Sequence, residues 1–212
     1  YALTINGFEI TDIKSDNKMV ESTTGTIKLS GVDLKDNPRS TGSGSLFKTT
    51  GGHIVGESLV IDNSKGEVFE GASGGDISLA DSIISNSATI IKQNGGAVVV
   101  RSVNVTGGKL ADMNDATRVF EAVFTDGGDG IVAVRSAVQV ERSGFKNHAN
   151  APIQFDSRSC TKCKRELVVS ETFFDDAKAV NAQTDAGNKP RVKIIESDFT
   201  SSGSVVSDNG IE

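Results

Sequence analysis

The chain has little of what most active sites and most membrane or nucleic-acid binders are built from. It carries two cysteines and two histidines in 212 residues. Cys160 and Cys163 form one Cys-x-x-Cys pair in the longest insertion between repeats, with no second pair and no histidine pair to complete a zinc site. A thioredoxin-like βαβ context is missing as well, so the expectation is a short-loop disulfide, and no metal and no cofactor is expected. His53 and His148 lie several repeats apart and cannot form a dyad. No apolar run approaches the ~18 residues of a membrane-spanning helix, which excludes such a span. Charge is mixed at a net -6 with no basic stripe, so nucleic acid is not an expected partner. A sustained 3.6-residue apolar stripe is also lacking, and Gly-, Ser- and Asn-rich turns interrupt every apolar run.

What the chain does have is a nine-fold internal repeat. Its frame reads apolar-x-apolar-x-x-small/apolar-x-apolar, with Asn or Asp commonly two residues later. Copies include Leu3-Ile5-Phe8-Ile10, Ile27-Leu29-Val32-Leu34, Ile54-Gly56-Leu59-Ile61 and Ile77-Leu79-Ser82-Ile84. They continue through Val98-Val100-Val103-Val105, Thr117-Val119-Ala122-Phe124 and Val138-Val140-Ser143-Phe145 to Leu167-Val169-Thr172-Phe174 and Val192-Ile194-Ser197-Phe199. Steps of roughly 19–29 residues around a constant frame mean fixed strands and variable turns. The period-2 pairs are strand signals, and the two-residue gap inside the frame reads as a sharp bend between two strands. A further short apolar run follows each turn in most copies, as at Leu46-Phe47, Val68-Phe69 and Ile90-Ile91. Three strands per turn predict an all-β parallel β-helix of about nine coils. At ~4.8 Å per coil it forms a single domain over residues 1–212, roughly 40 Å long.

Two columns carry further expectations. The corner column Asp12, Asp36, Asn63, Asn86, Gly107, Asp126, Asn147, Asp176, Ser201 is rich in residues that tolerate left-handed backbone and can hydrogen-bond along the rod. The last anchor changes from Ile, Leu and Val to Phe124, Phe145, Phe174 and Phe199, which predicts an internal aromatic stack. On the outside, Val60, Ile83, Val123 and Phe173, with Val55, Val99 and Val168 earlier in their frames, are apolar where polar residues belong. Such a stripe is expected to be an assembly surface, unless an insertion such as 156–166 covers it. Asn104-Val105-Thr106 is an N-glycosylation sequon whose Asn104 should point outward. The frame starts within about two residues of Tyr1 and no polar cap is recognisable at either end. The expectation is a segment of a larger protein or of a stacked assembly.

The pattern resembles the right-handed parallel β-helix superfamily of pectate lyases, tailspikes and bacterial surface passengers. Gly95-Gly96-Ala97-Val98 and Phe145-Lys146-Asn147 resemble the GGA-[ILV] and F-x-x-N repeats of chlamydial polymorphic membrane proteins. The resemblance implies right-handed winding and an extracellular or cell-surface, adhesive character. Partners would be further copies, neighbouring segments of the same protein, or glycans. Enzymes of the superfamily cleave polysaccharides, and Asp175-Asp176 with Arg191-Val192-Lys193 resemble the DD and RIK elements of polygalacturonases. The Gly-His-Gly and Asn-Thr-Asp elements of those enzymes are missing. The expectation is therefore a non-catalytic structural or adhesive β-helix. The alternative is a polysaccharide-cleaving or glycan-binding one, with Asp175, Asp176, Arg191 and Lys193 as the residues to test.

Overall fold

The computed structural model describes residues 1–13, 18–37, 44–114, 117–126, 130–158, 166–175, 179–183, 191–200 and 206–208. Among them every regular element is a strand, and every pairing between strands is parallel. The fold is a parallel β-solenoid with three faces. The first face begins with Ala2–Asn6, Thr26–Ser30, His53–Glu57 and Asp76–Ala80, and the second with Glu9–Thr11, Asp33–Lys35, Val60–Asp62 and Ile83–Ser85. The strands Ala97–Thr106 and Thr117–Thr125 run through both faces and join them into one sixteen-stranded sheet. A separate nine-stranded sheet, from Val20–Ser22 to Val206–Asp208, forms the third face.

Inward side chains stack in columns because the register advances by one coil without slippage. Ile27 pairs with Leu3 and Ile54, and Ile54 with Ile77, which pairs with Val98. All four frame positions are buried in the second to fifth coils and again in the seventh and eighth. Burial of each branched aliphatic contributes about 1.5–3 kcal/mol. In the first and last coils the same positions are half-buried or exposed.

Two corners make this stacking possible. Between the first and second faces, Gly7, Gly31, Ser58, Asp81, Arg142, Glu171 and Glu196 have left-handed backbone. Between the second and third faces, Asp12, Asp36, Asn63, Asn86, Gly107, Asp126 and Asn147 do. A non-glycine residue there costs about 1–2 kcal/mol. The conformation is held because the corner N–H still donates to the next coil: Ser58 to the Ala80 carbonyl (3.1 Å), Asn86 to that of Thr106 (3.0 Å), Asp126 to that of Lys146 (3.0 Å). Side chains add rungs of their own, with the Asn63 amide donating to Asp36 (2.8 Å) and that of Asn147 to Asp126 (3.1 Å). Asp176 and Ser201 lie outside the described residues.

The frame position after the first corner explains its mixture of small and apolar residues. Ser82, only 2 % exposed, accepts the Leu59 N–H (3.1 Å) and donates to the Ala80 carbonyl (2.6 Å). Ser143 does the same for the Ala122 N–H and the Glu141 carbonyl. Their hydroxyls satisfy polar backbone groups that the bend leaves inside the core.

One coil departs from the frame. Val98 and Val100 pair with Arg118 and Phe120, not with Thr117 and Val119, and these in turn pair with Val138 and Val140. The register jumps between Arg101 and Val103, so that left-handed Ser102, the corner residue in register with Asp81 of the coil before, has no counterpart in the coil after. The sixth coil is thus one residue shorter inside the frame. It runs straight through the corner, so that 118, 120, 122 and 124 alternate without a break. The expected frame positions Thr117 and Val119 therefore lie one residue out of register with the frame of the neighbouring coils. Val119 pairs instead with Val99 and Gln139.

Phe124, Phe145, Phe174 and Phe199 form the expected file. Ring centroids are 4.6, 5.0 and 5.1 Å apart and planes lie within 8° of parallel, so the rings follow the strand spacing. Phe47 and Phe69 make a second, tilted pair inside the third face at 5.9 Å.

Candidate functional site: the uncharged middle of the second face

Outward positions of the second face form two columns fixed by register. One reads Glu9, Asp33, Val60, Ile83, Asn104, Val123, Gly144, Phe173 and Asp198. Its six central members carry no charge and are bounded by carboxylates at both ends. At the strand spacing they span about 24 Å. Beside them, Ser85, Thr106 and Thr125 continue the uncharged zone, with the Thr106 and Thr125 hydroxyls 3.1 Å apart. Ile83 is 54 % exposed and Phe173 41 %, high for residues of this size. Strand alternation forces them out, because their neighbours Ile84 and Phe174 occupy the core. Asn104 lies exposed in the middle of this column, two residues before Thr106. The first-face valines Val55, Val99 and Val168 share one outward register column with Ser78 and Gln139 between them, and all three are half-buried.

The residues singled out for carbohydrate cleavage are not gathered into one place. Asp175 ends the strand Phe173–Asp175 on the second face and accepts a hydrogen bond from the Thr200 hydroxyl (2.9 Å). Arg191 and Lys193 lie on the first face, across the bend at Glu196, in the strand Arg191–Ile195. The Lys193 ammonium is 2.8 Å from Glu166, one coil away, and this contact holds the Glu166 carboxyl below the usual carboxylate range. Lys193 therefore answers a carboxylate on its own face. Asp176, Cys160 and Cys163 lie outside the described residues. His53 stands 3.3 Å from Asp76, and His148 meets the edge of Phe145. Among the described residues no group of three His, Cys, Asp or Glu side chains could hold a metal ion, and no helix is long and apolar enough to cross a membrane.

The third face divides in two. Its outward column runs Glu21, Lys48, Glu70, Lys92, Asp112 and then Val132, Gln154, Asn181. The first half alternates in sign and neutralises itself. Lys48 is 2.9 Å from Glu70, Lys92 is 3.6 Å from the buried Glu67, and Lys18 is 3.0 Å from Glu21. Burial pushes the Glu70 carboxyl up, but hydrogen bonds from Lys48 and Ser45 outweigh it and leave the group below its ordinary value. This ladder leaves no mark in the sequence, because its charges are a coil apart in the chain and meet only through the strand register. Compared with family models, curated proteins and solved structures, the chain matches none.

Proposed function

We propose that this chain is a non-catalytic structural or adhesive β-solenoid of the extracellular or cell-surface kind, and that the uncharged middle of its second face is its lateral contact surface. The supporting observation is the six-rung column from Val60 to Phe173, with Ile83 and Phe173 projecting large apolar side chains from a flat parallel sheet. The rungs from Ile83 to Val123, with Ser85, Thr106 and Thr125 beside them, carry no charge, while Asp62, Lys146 and Asp175 flank the outer rungs, and apolar atoms there gain about 25 cal/mol per Å² when covered. The occupant that fits is the same face of a second copy or of a neighbouring segment with the same repeat. Columns spaced by one strand repeat on both sides then interlock in register. Winding is right-handed on this reading, as in the superfamily the repeat resembles.

Sedimentation velocity and negative-stain electron microscopy of the purified chain test the proposal. Concentration-dependent lateral pairs or bundles are expected, and Ile83→Lys should return the chain to single rods with an unchanged melting temperature. Wild-type chain that stays monomeric at high concentration, or an Ile83→Lys variant that still associates, would overturn it. Attachment of a glycan to Asn104 would act like Ile83→Lys, since it would stand in the centre of the same surface.

A further inference from the structure

The charges that border the second face follow a pattern with a direction. Its second outward column reads Lys35, Asp62, Ser85, Thr106, Thr125, Lys146, Asp175, each in register with the next. Thr106 is the middle member, with one hydroxyl-bearing residue on either side. Two rungs away stand Asp62 on one side and Lys146 on the other, and three rungs away stand Lys35 and Asp175. Reversing the column therefore exchanges every charge for its opposite. The neighbouring column is centred on the same rung: Asn104 is its middle, the rungs of Ile83 and Val123 come next, and those of Val60 and Gly144 follow.

Such a face is complementary to itself turned end for end. A two-fold axis along the strand direction, through the rung of Asn104 and Thr106, brings two second faces together with their rods antiparallel. Asp62 then meets Lys146 of the second copy, and Lys35 meets Asp175. Each contact occurs twice, because a two-fold interface is isologous. Lys146 suits this role: it is exposed and has no ion-pair partner among the described residues. The Asp62 carboxylate is held in place by Ser85 (2.6 Å) and Asn86 (3.1 Å). Asp33 falls over Phe173, its charge already met by Lys35 at 3.2 Å. The outermost rung, Glu9 with Asp198, sets like charges together, but at the solvent-open rim. With the rods parallel, position 62 would lie nearest position 62 of the second copy and 146 nearest 146. Asp62 and Lys146 would then be four rungs apart, about 19 Å.

We propose that the lateral contact is a two-fold dimer of this chain with antiparallel rods, centred on Asn104 and Thr106. The proposal rests on the reading of this face as the lateral surface, and adds to it one partner, one direction and one register. Nine rungs about 4.8 Å apart and a strand about 10 Å wide give a contact of about 400 Å² on each copy. That is about half of a standard interface, so a reversible pair with a Kd of roughly 10–1,000 μM is expected.

Charge reversal, read by sedimentation velocity of the full chain, tests the register. Lys146→Asp sets two acids together twice per dimer, and Asp62→Lys sets two lysines together twice. Each should weaken pairing at least about tenfold. The doubly reversed chain, Asp62→Lys with Lys146→Asp, should regain wild-type affinity, and the two single variants should pair with each other when mixed. Melting curves show that each variant is folded. If Asp62→Lys, which gives up two hydrogen bonds, does not fold, Lys35→Asp and Asp175→Lys serve as the reversing pair. Wild-type chain that pairs through Ile83 while Lys146→Asp pairs equally well overturns the antiparallel register and leaves the contact surface standing. Failure of the double reversal to restore pairing does the same. Wild-type chain that never pairs overturns both.

Discussion

At the scale of single residues, the fold rests on side chains repeated at intervals of one coil. Phe145 is the clearest case, fully buried with Phe124 on one side and Phe174 on the other at 4.6 and 5.0 Å. Truncation leaves a ring-sized void that neighbouring strands cannot close without losing register. Phe145→Ala should therefore lower unfolding free energy by about 3–5 kcal/mol, while Phe199→Ala, half-buried with one ring neighbour, should cost distinctly less. Urea unfolding of the two variants measures the difference. Gly56 shows the opposite constraint. It stands in an inward register, and a Cβ there would come within 2.8 Å of Leu59 and 3.0 Å of Leu79. The gap in the apolar column is thus filled by its neighbours.

At the scale of elements, short strands are joined by corners that store strain and recover it as hydrogen bonds. Ser82 sits at such a corner, and Ser82→Ala leaves the Leu59 N–H buried without its acceptor. A loss of about 1–3 kcal/mol is expected, read as a lower denaturant midpoint at unchanged slope. Strand positions, corner residues and the phenylalanine file were all legible from the sequence, because each leaves a mark that recurs at the same offset. The sixth coil was not. Its Val119, Ala122 and Phe124 fit the bent frame, whereas the register paired with Val98 and Val100 falls on Arg118 and Phe120, and a charged residue at 118 hides it from an apolar pattern. The buried run Leu110, Ala111 and Met113 on the third face was likewise passed over, as its Ala and Met are weak strand signals. Ile83 and Phe173 were legible as outward apolar residues from alternation alone. The hollow that Val132, Gln154 and Asn181 line on the third face was not, since they lie 22 and 27 residues apart and share no motif.

At the scale of the whole molecule, each coil touches only its neighbours, so stability accumulates along the rod. Its carboxylates are tied to that stacking. Asp62 accepts hydrogen bonds from Ser85 and Asn86 one coil on, which lower its pKa, and Glu70 and Asp156 are lowered as well. A folded-state pKa below the unfolded one stabilises the fold above the unfolded value, about 4, and that contribution disappears as pH falls through the folded value. Thermal unfolding should be insensitive to pH between about 6 and 7 and should shift downward below about 4. Asp62→Asn should flatten the acid limb, and an unchanged limb would assign it to other groups. The phenylalanine file has a consequence of a different kind. The chain has no tryptophan and one tyrosine against ten phenylalanines, so phenylalanine contributes an unusually large share of its near-ultraviolet absorption. Four near-parallel rings about 5 Å apart are arranged so that an excited ring can share its excitation with the next. Coupling of this kind depends steeply on ring spacing, so the near-ultraviolet circular dichroism of the second half of the rod should change when successive coils unstack.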